Sequence, residues 1–182
     1  MTGTHKEKLM SIVAYLLRVA PNLESKIMDD GNFVESLIDK AEIEESNLLD
    51  LGESWAAIHY MLTIEVPTTR PAAHEMGIEW WDDSLENVLM GGENTPYECA
   101  FENARYIQQS DVSLMAKQLS LVTLEKFASN YDPEYMEEIG IPPGGWLQDV
   151  QTIAWITNKF IALKSFYQQA SDNGEGILIY FL

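Results

Sequence analysis

The sequence is short of cysteine, of long apolar runs and of basic residues, and each shortage closes off a class of function. Its one cysteine, Cys99, has no second thiol for an internal disulfide or a CxxC pair. Cys99 therefore reads as a small core residue rather than a nucleophile. No window approaches the ~18 apolar residues of a transmembrane helix. Residues 1–10 form a polar extension carrying Lys6 and Lys8, without the apolar stretch and small-residue cleavage site of a secretory signal. These absences predict a reduced, cytoplasmic setting.

Lys and Arg number 11 against 29 Asp and Glu, a formal net charge of −18. A nucleic-acid binder gains affinity by neutralising phosphates with cations, so this balance argues against DNA, RNA and anionic membranes as partners. It allows a basic protein partner. The same charge also has a simpler use, in keeping copies of the chain soluble and apart.

Catalytic signatures are missing as well. His74-Glu75-Met76-Gly77-Ile78-Glu79 lacks the second histidine that an HExxH zinc helix needs. With Asp82 and Asp83 nearby, oxygen ligation of a hard cation is one reading of this stretch, but EF-hand spacing is absent and an ordinary acidic loop is the other. Gly91-Gly92 has neither GxGxxG spacing nor a following Lys-Ser/Thr pair, and Glu93 beside it would repel phosphate. No GxSxG elbow occurs. No metal, cofactor or catalytic residue is expected.

What is present describes a folded domain. A chain of 182 residues, 46% apolar and 22% charged, fits one domain that buries roughly 70% of its unfolded surface. Residues 11–19 (SIVAYLLRV) read as a buried strand, and Pro21 as the opening of a helix stopped at Gly31. A second helix is expected from Asn32, with Glu35 completing a capping-box-like pair. Asp50 to Glu53 reads as the cap of a helix bearing Trp55, Ile58, His59 and Leu62. Val88-Leu89-Met90 reads as a short strand ended by Gly91-Gly92, and residues 104–108 as another. Helices are expected after Ser110-Asp111 and from about Asp149 to Asn173, with a loop from Tyr131 to Gly145. The closing run from Gly176 to Leu182 is apolar throughout and must be buried on both faces. Its natural partner is the first strand. The expected fold is α+β, a small mixed β-sheet covered by helices, with the N-terminal and C-terminal strands paired centrally. No linker or repeat divides residues 1–182, which read as a single domain.

Four segments in order carry a resemblance. They are Tyr15-Leu16-Leu17-Arg18-Val19-Ala20-Pro21; Leu49-Asp50-Leu51 through Trp55-Ala56-Ala57-Ile58-His59-Tyr60-Met61-Leu62-Thr63; Met90-Gly91-Gly92-Glu93 with Ala104-Arg105-Tyr106; and Tyr131-Asp132-Pro133-Glu134 leading to the closing strand. In this order the chain resembles the YfbM-like family, bacterial domains of unknown function. The resemblance implies an α+β domain over nearly the whole chain and brings no catalytic residues with it. The stretch from Val66 to Asp83, with its paired tryptophans, departs from the family pattern.

Candidate binding residues follow from residue type and spacing. Trp55 and His59 share a helix face, with Tyr60 adjacent, which reads either as an aromatic and imidazole pocket or as a core edge. Arg105, one of few cations, reads either as an anion ligand or as the pin of a buried loop. Trp80 and Trp81, beside Asp82 and Asp83, and Trp146 read either as anchors on a protein-binding face or as plugs over the core. Two functions result. One is a non-enzymatic acidic protein that binds a basic partner, as an immunity protein does when it neutralises a nucleic-acid-targeting toxin. The other is a small-molecule domain or enzyme built around His59.

Overall fold

The computed structural model describes residues 12–44, 47–66, 85–100, 102–147 and 152–182. The strand β1 (Ala14–Val19) leads through a 3-10 turn (Pro21–Leu23) into α1 (Glu24–Asp29) and α2 (Gly31–Glu44). Then come β2 (Leu48–Gly52), α3 (Trp55–Thr63), a single-turn α4 (Asn87–Met90), β3 (Glu93–Glu98) and β4 (Asn103–Ile107). The chain closes with α5 (Gln109–Leu121), α6 (Leu124–Ser129), α7 (Pro133–Glu138), α8 (Thr152–Asn173) and β5 (Gly176–Phe181).

The strands form one sheet in the order β2-β1-β5-β4-β3. As the apolar first and last segments imply, β1 and β5 pair along their full length, from Ala14 with Phe181 to Val19 with Gly176. Every pairing is antiparallel, where a mixed sheet was expected. The reason lies in the position of β5, which runs against both β1 and β4 and so keeps those two parallel strands apart.

Helices cover both faces of this sheet. Ile177, Ile179 and Phe181 of β5 join Leu16 in a large core with α3, α5 and α8. The alternate residues Leu178 and Tyr180 join Leu17 and Val19 in a second core under Ile27 of α1 and Val34, Ile38 and Ala41 of α2. The period of 2 along the strand thus splits one apolar run between two cores. Each fully buried aliphatic side chain contributes about 1.5–3 kcal/mol.

Several local expectations are corrected. Val88-Leu89-Met90 lies in α4, not in a strand. Leu48–Gly52 is an edge strand, and Ser54, not Asp50, is the residue that precedes α3. The cap of α2 is Asp30, whose Oδ1 accepts from the backbone N–H groups of Asn32 at 3.0 Å and Phe33 at 3.3 Å. The stretch expected as loop from Tyr131 contains α7, which Asp132 caps by accepting from Tyr135 N–H, with Pro133 in the first turn.

Candidate functional site

Trp55 and Arg105 meet at the Phe181 ring of the last strand, inside the fold, and His59 is buried within the field of the Arg105 charge. Consecutive positions of α3 are buried because the helix is wedged between the sheet and its neighbours. Trp55 donates from Nε1 to the Ile12 carbonyl at 2.9 Å and meets the Phe181 ring edge-on at 4.9 Å. Arg105, on β4, places its guanidinium 5.7 Å from the same ring. Its Nη1 donates to the Gly91 carbonyl at 2.9 Å, and its Nη2 to the Leu89 carbonyl at 2.8 Å. Nη2 also stands 2.8 Å from a carboxylate oxygen of Glu102. Burial pushes the Glu102 carboxyl above its ordinary range, and Arg105 opposes that shift. Arg105 is 3% exposed, so its geometry is that of a pin holding the end of α4.

His59 is 2% exposed and its Nδ1 has no hydrogen-bond partner. Burial, and then the positive charge of Arg105, lower its pKa to about 4. The imidazole is neutral in the folded protein at pH 7. Because the unfolded chain titrates near 6.5, it binds more protons than the folded one between about pH 6.5 and 4. The stability lost to His59 therefore grows as pH falls through that window. Relative to a His59→Gln variant, the wild type is expected to lose about 2 kcal/mol between pH 8 and pH 5. Urea unfolding of both proteins at the two pH values checks this, and parallel pH dependences would remove His59 as the cause.

Tyr60 does not join the others. It is buried beside Tyr135, ring centroids 6.4 Å apart, and burial raises its hydroxyl pKa, with Tyr135 and Asp132 adding to the effect. Trp146 is a plug: it is buried, its Nε1 donates to the Ile141 carbonyl at 2.7 Å, and its backbone N–H donates to Glu137. Cys99 is half-buried against the second core, and burial raises its thiol pKa. Trp80, Trp81, Asp82 and Asp83, with His74 and Glu75, lie outside the described residues.

Among the described residues, depressions open elsewhere, and two of them were not legible in the sequence. A groove of about 540 Å³ runs between Pro143, Gly144, Trp146 and the start of α8, where Trp155 is 39% exposed. A smaller hollow of about 220 Å³ lies where α1 and α5 overhang the end of the sheet, lined by Glu24, Glu93, Tyr106, Gln108 and Asp111, with Met28 and Met115. Neither is lined by Trp55, His59, Tyr60 or Arg105. The available signal for the hollow was acids in the first turns of two helices, Glu24 in α1 and Asp111 in α5. Only the fold brings them together. No group of three or more His, Cys, Asp or Glu side chains converges well enough to hold a metal ion among the described residues. No helix among them is long and apolar enough to cross a membrane.

Residues 10–180 match the family described as a domain of unknown function, DUF1877. The chain belongs to that family. The fold agrees: the crystal structure of YfbM, a protein of unknown function from Escherichia coli, matches with a TM-score of 0.64 at 15% identity. The match covers 93% of this chain and 99% of that one. The motif order from Tyr15 to the closing strand thus pointed to the right family. No curated protein matches the sequence. Membership of DUF1877 supplies no site residues, so the chemistry rests on this chain's own geometry.

Proposed function

We propose that this DUF1877 protein is a non-enzymatic binding protein whose acidic surface recognises a basic protein. The observation that carries the reading is the placement of charge: acids far outnumber cations, and Arg18, Arg105, Lys159 and Lys164 are drawn into contacts with the body of the fold, which leaves Lys26, Lys40, Lys117 and Lys126 as the exposed cations among the described residues. Arg18 donates to Gln169 and Asn47 and lies 3.7 Å from Glu175. Lys159 and Lys164 donate to the carbonyls of Asp50 and Val122, both at 2.6 Å. Arg105 is buried. On α2, by contrast, Glu35, Asp39 and Glu42 are exposed at spacings of four and three, which puts them in one stripe. A net charge of −18 then steers a basic partner toward the surface and speeds encounter by ~10–10³-fold. An inhibitor of a nucleic-acid-targeting toxin is one use of such a face, because carboxylates can occupy a site shaped for phosphates.

Capture of partners from the native host at ~50 mM and ~500 mM salt tests the reading. A basic protein should be retained at low salt, released at high salt, and associate about tenfold more slowly with a Glu35→Gln/Asp39→Asn/Glu42→Gln variant. Recovery of no basic protein at low salt would overturn the proposal.

A further inference from the structure

The larger groove, between the turn at residues 143–146 and the start of α8, is a slot beside an exposed indole. Thr152, Trp155 and Asn158 stand at spacings of three on α8, so one helix face presents a tryptophan flanked along the axis by two polar side chains. Trp155 is 39% exposed, whereas Trp55 and Trp146 are each 3% exposed. The other wall is bare backbone. Gly144 and Gly145, at φ 81° and 75°, have open space where a Cβ would stand. That wall is held from behind, because Trp146 donates from Nε1 to the Ile141 carbonyl at 2.7 Å and from its backbone N–H to Glu137 at 2.9 Å. The slot is therefore shaped before anything enters it, which lowers the cost of filling it.

Charge decides the kind of occupant. Glu53, in the turn between β2 and α3, is the single charged side chain among the described residues that line the groove. Its carboxylate makes no ion pair with another described residue. The positive end of the α8 dipole lies nearest Thr152 and fades within a turn, so at Trp155 and Asn158 the carboxylate sets the sign of the field. The net charge of −18 adds to it. Anions are disfavoured and a cation is attracted. The indole then selects among cations, since a positive charge is held best over the face of a tryptophan. A guanidinium is flat and weakly hydrated, and it directs five N–H donors outward in its plane, so it can stack on the ring while its edge reaches acceptors beside it. Glu53, Thr152 and Asn158 are those acceptors. An ammonium is compact, more strongly hydrated and has no plane to stack.

We infer that this groove seats an arginine side chain of a basic protein, with the guanidinium stacked on Trp155, paired with Glu53 and hydrogen-bonded to Thr152 and Asn158. Size agrees. At about 540 Å³ the groove lies within the ~300–1,000 Å³ of small-ligand pockets, which accommodates a whole arginine side chain with the backbone on either side of it. Tryptophan and arginine are also the residues that most often anchor protein interfaces, where a few such contacts carry most of the binding energy. The inference rests on the acidic-surface reading for the basic character of the partner alone, and not on the stripe along α2.

The test is a titration of the protein with the blocked peptide acetyl-Gly-Arg-Gly-amide at fixed ionic strength, followed by the chemical shifts of the Trp155 indole N–H and of the Gly144, Gly145, Thr152 and Asn158 amides. The same peptide with citrulline in place of arginine keeps the planar group and loses the charge. The lysine peptide keeps the charge and loses the plane. Saturable shifts are expected with the arginine peptide, and binding at least about fivefold weaker with the other two. Trp155→Ala should weaken binding of the arginine peptide about tenfold and Glu53→Gln about fivefold, both in proteins whose unfolding temperature stays close to that of the wild type. No shift at these groups up to ~20 mM peptide, equal binding of the three peptides, or full binding by both variants would overturn the inference. Free L-arginine bound more tightly than the peptide would overturn it too, by assigning the groove to a small molecule. The titration needs no native partner, so the two readings fail separately. A basic protein captured at low salt beside a silent groove removes the groove alone, whereas a groove that binds the peptide when no basic protein is captured removes the acidic-surface reading alone.

Discussion

Arg105→Met is expected to cost about 3–5 kcal/mol and to lower the unfolding temperature by about 10 °C, the largest effect of any single side-chain change considered for this fold. The substitution keeps the aliphatic stem and removes the guanidinium. It leaves the Gly91 and Leu89 carbonyls and the mostly buried Glu102 carboxylate without their shared donor. Each lost charge-assisted bond in a buried setting is worth more than a surface ion pair, because water cannot replace it. Urea unfolding measures the loss. An Arg105→Met/Glu102→Gln double variant should recover part of it, because the stranded carboxylate is then gone. A loss below about 1 kcal/mol would show that the guanidinium does not pin α4.

The same residue shows why part of the fold was not legible in the sequence. Val88-Leu89-Met90 before Gly91-Gly92 has the composition of a strand, and nothing local says otherwise. Arg105, from a strand that follows in the chain, takes up the carbonyls at the end of that turn, and Tyr167 of α8 donates to the Val88 carbonyl at 2.6 Å. Tertiary hydrogen bonds thus decide the local state of four residues. The strand β3 was hidden for a different reason. Its sequence, ENTPYE, has little apolar character and contains Pro96, which a central strand excludes but an edge strand accepts. By contrast β1, β5, α3 and α8 were legible because each is long or apolar enough for its burial to be dictated by composition alone.

Legibility of the candidate site followed the same division. Helical spacing correctly put Trp55 and His59 on one element, but amphipathic spacing does not say whether a face meets a cavity or a core. Here it meets the core, and the aromatic ring between Trp55 and Arg105 is Phe181, from the far end of the chain. The hollow beneath α1 and α5 draws on residues from 24 to 115, none adjacent in a motif. Such a site is a property of topology, since α1 follows β1 and α5 follows β4 at the same end of the sheet.

Deleting residues 177–182 is expected to abolish cooperative unfolding altogether. The segment is the middle strand of five, so its loss separates β1 from β4 and removes apolar side chains from both cores at once. Ile177, Leu178, Ile179 and Tyr180 are fully buried, and burial at about 1.5–3 kcal/mol per side chain amounts to as much as the ~5–15 kcal/mol by which whole domains are stable. A graded version separates packing from backbone pairing. Ile179→Ala keeps the strand but opens a cavity between Leu16 and Arg105, its cross-strand neighbours, and should cost about 2–5 kcal/mol. Leu182→Ala, at a residue 43% exposed, should change stability by less than about 0.5 kcal/mol. Urea unfolding followed by tryptophan fluorescence and near-UV circular dichroism reads all three. A truncated protein that stays monomeric and unfolds in a single sharp transition would contradict the central place of β5. A small loss at Ile179 beside a large loss on truncation would instead assign the strand's role to its backbone ladder, because the two unpaired edges left on β1 and β4 have no other partner in the sheet.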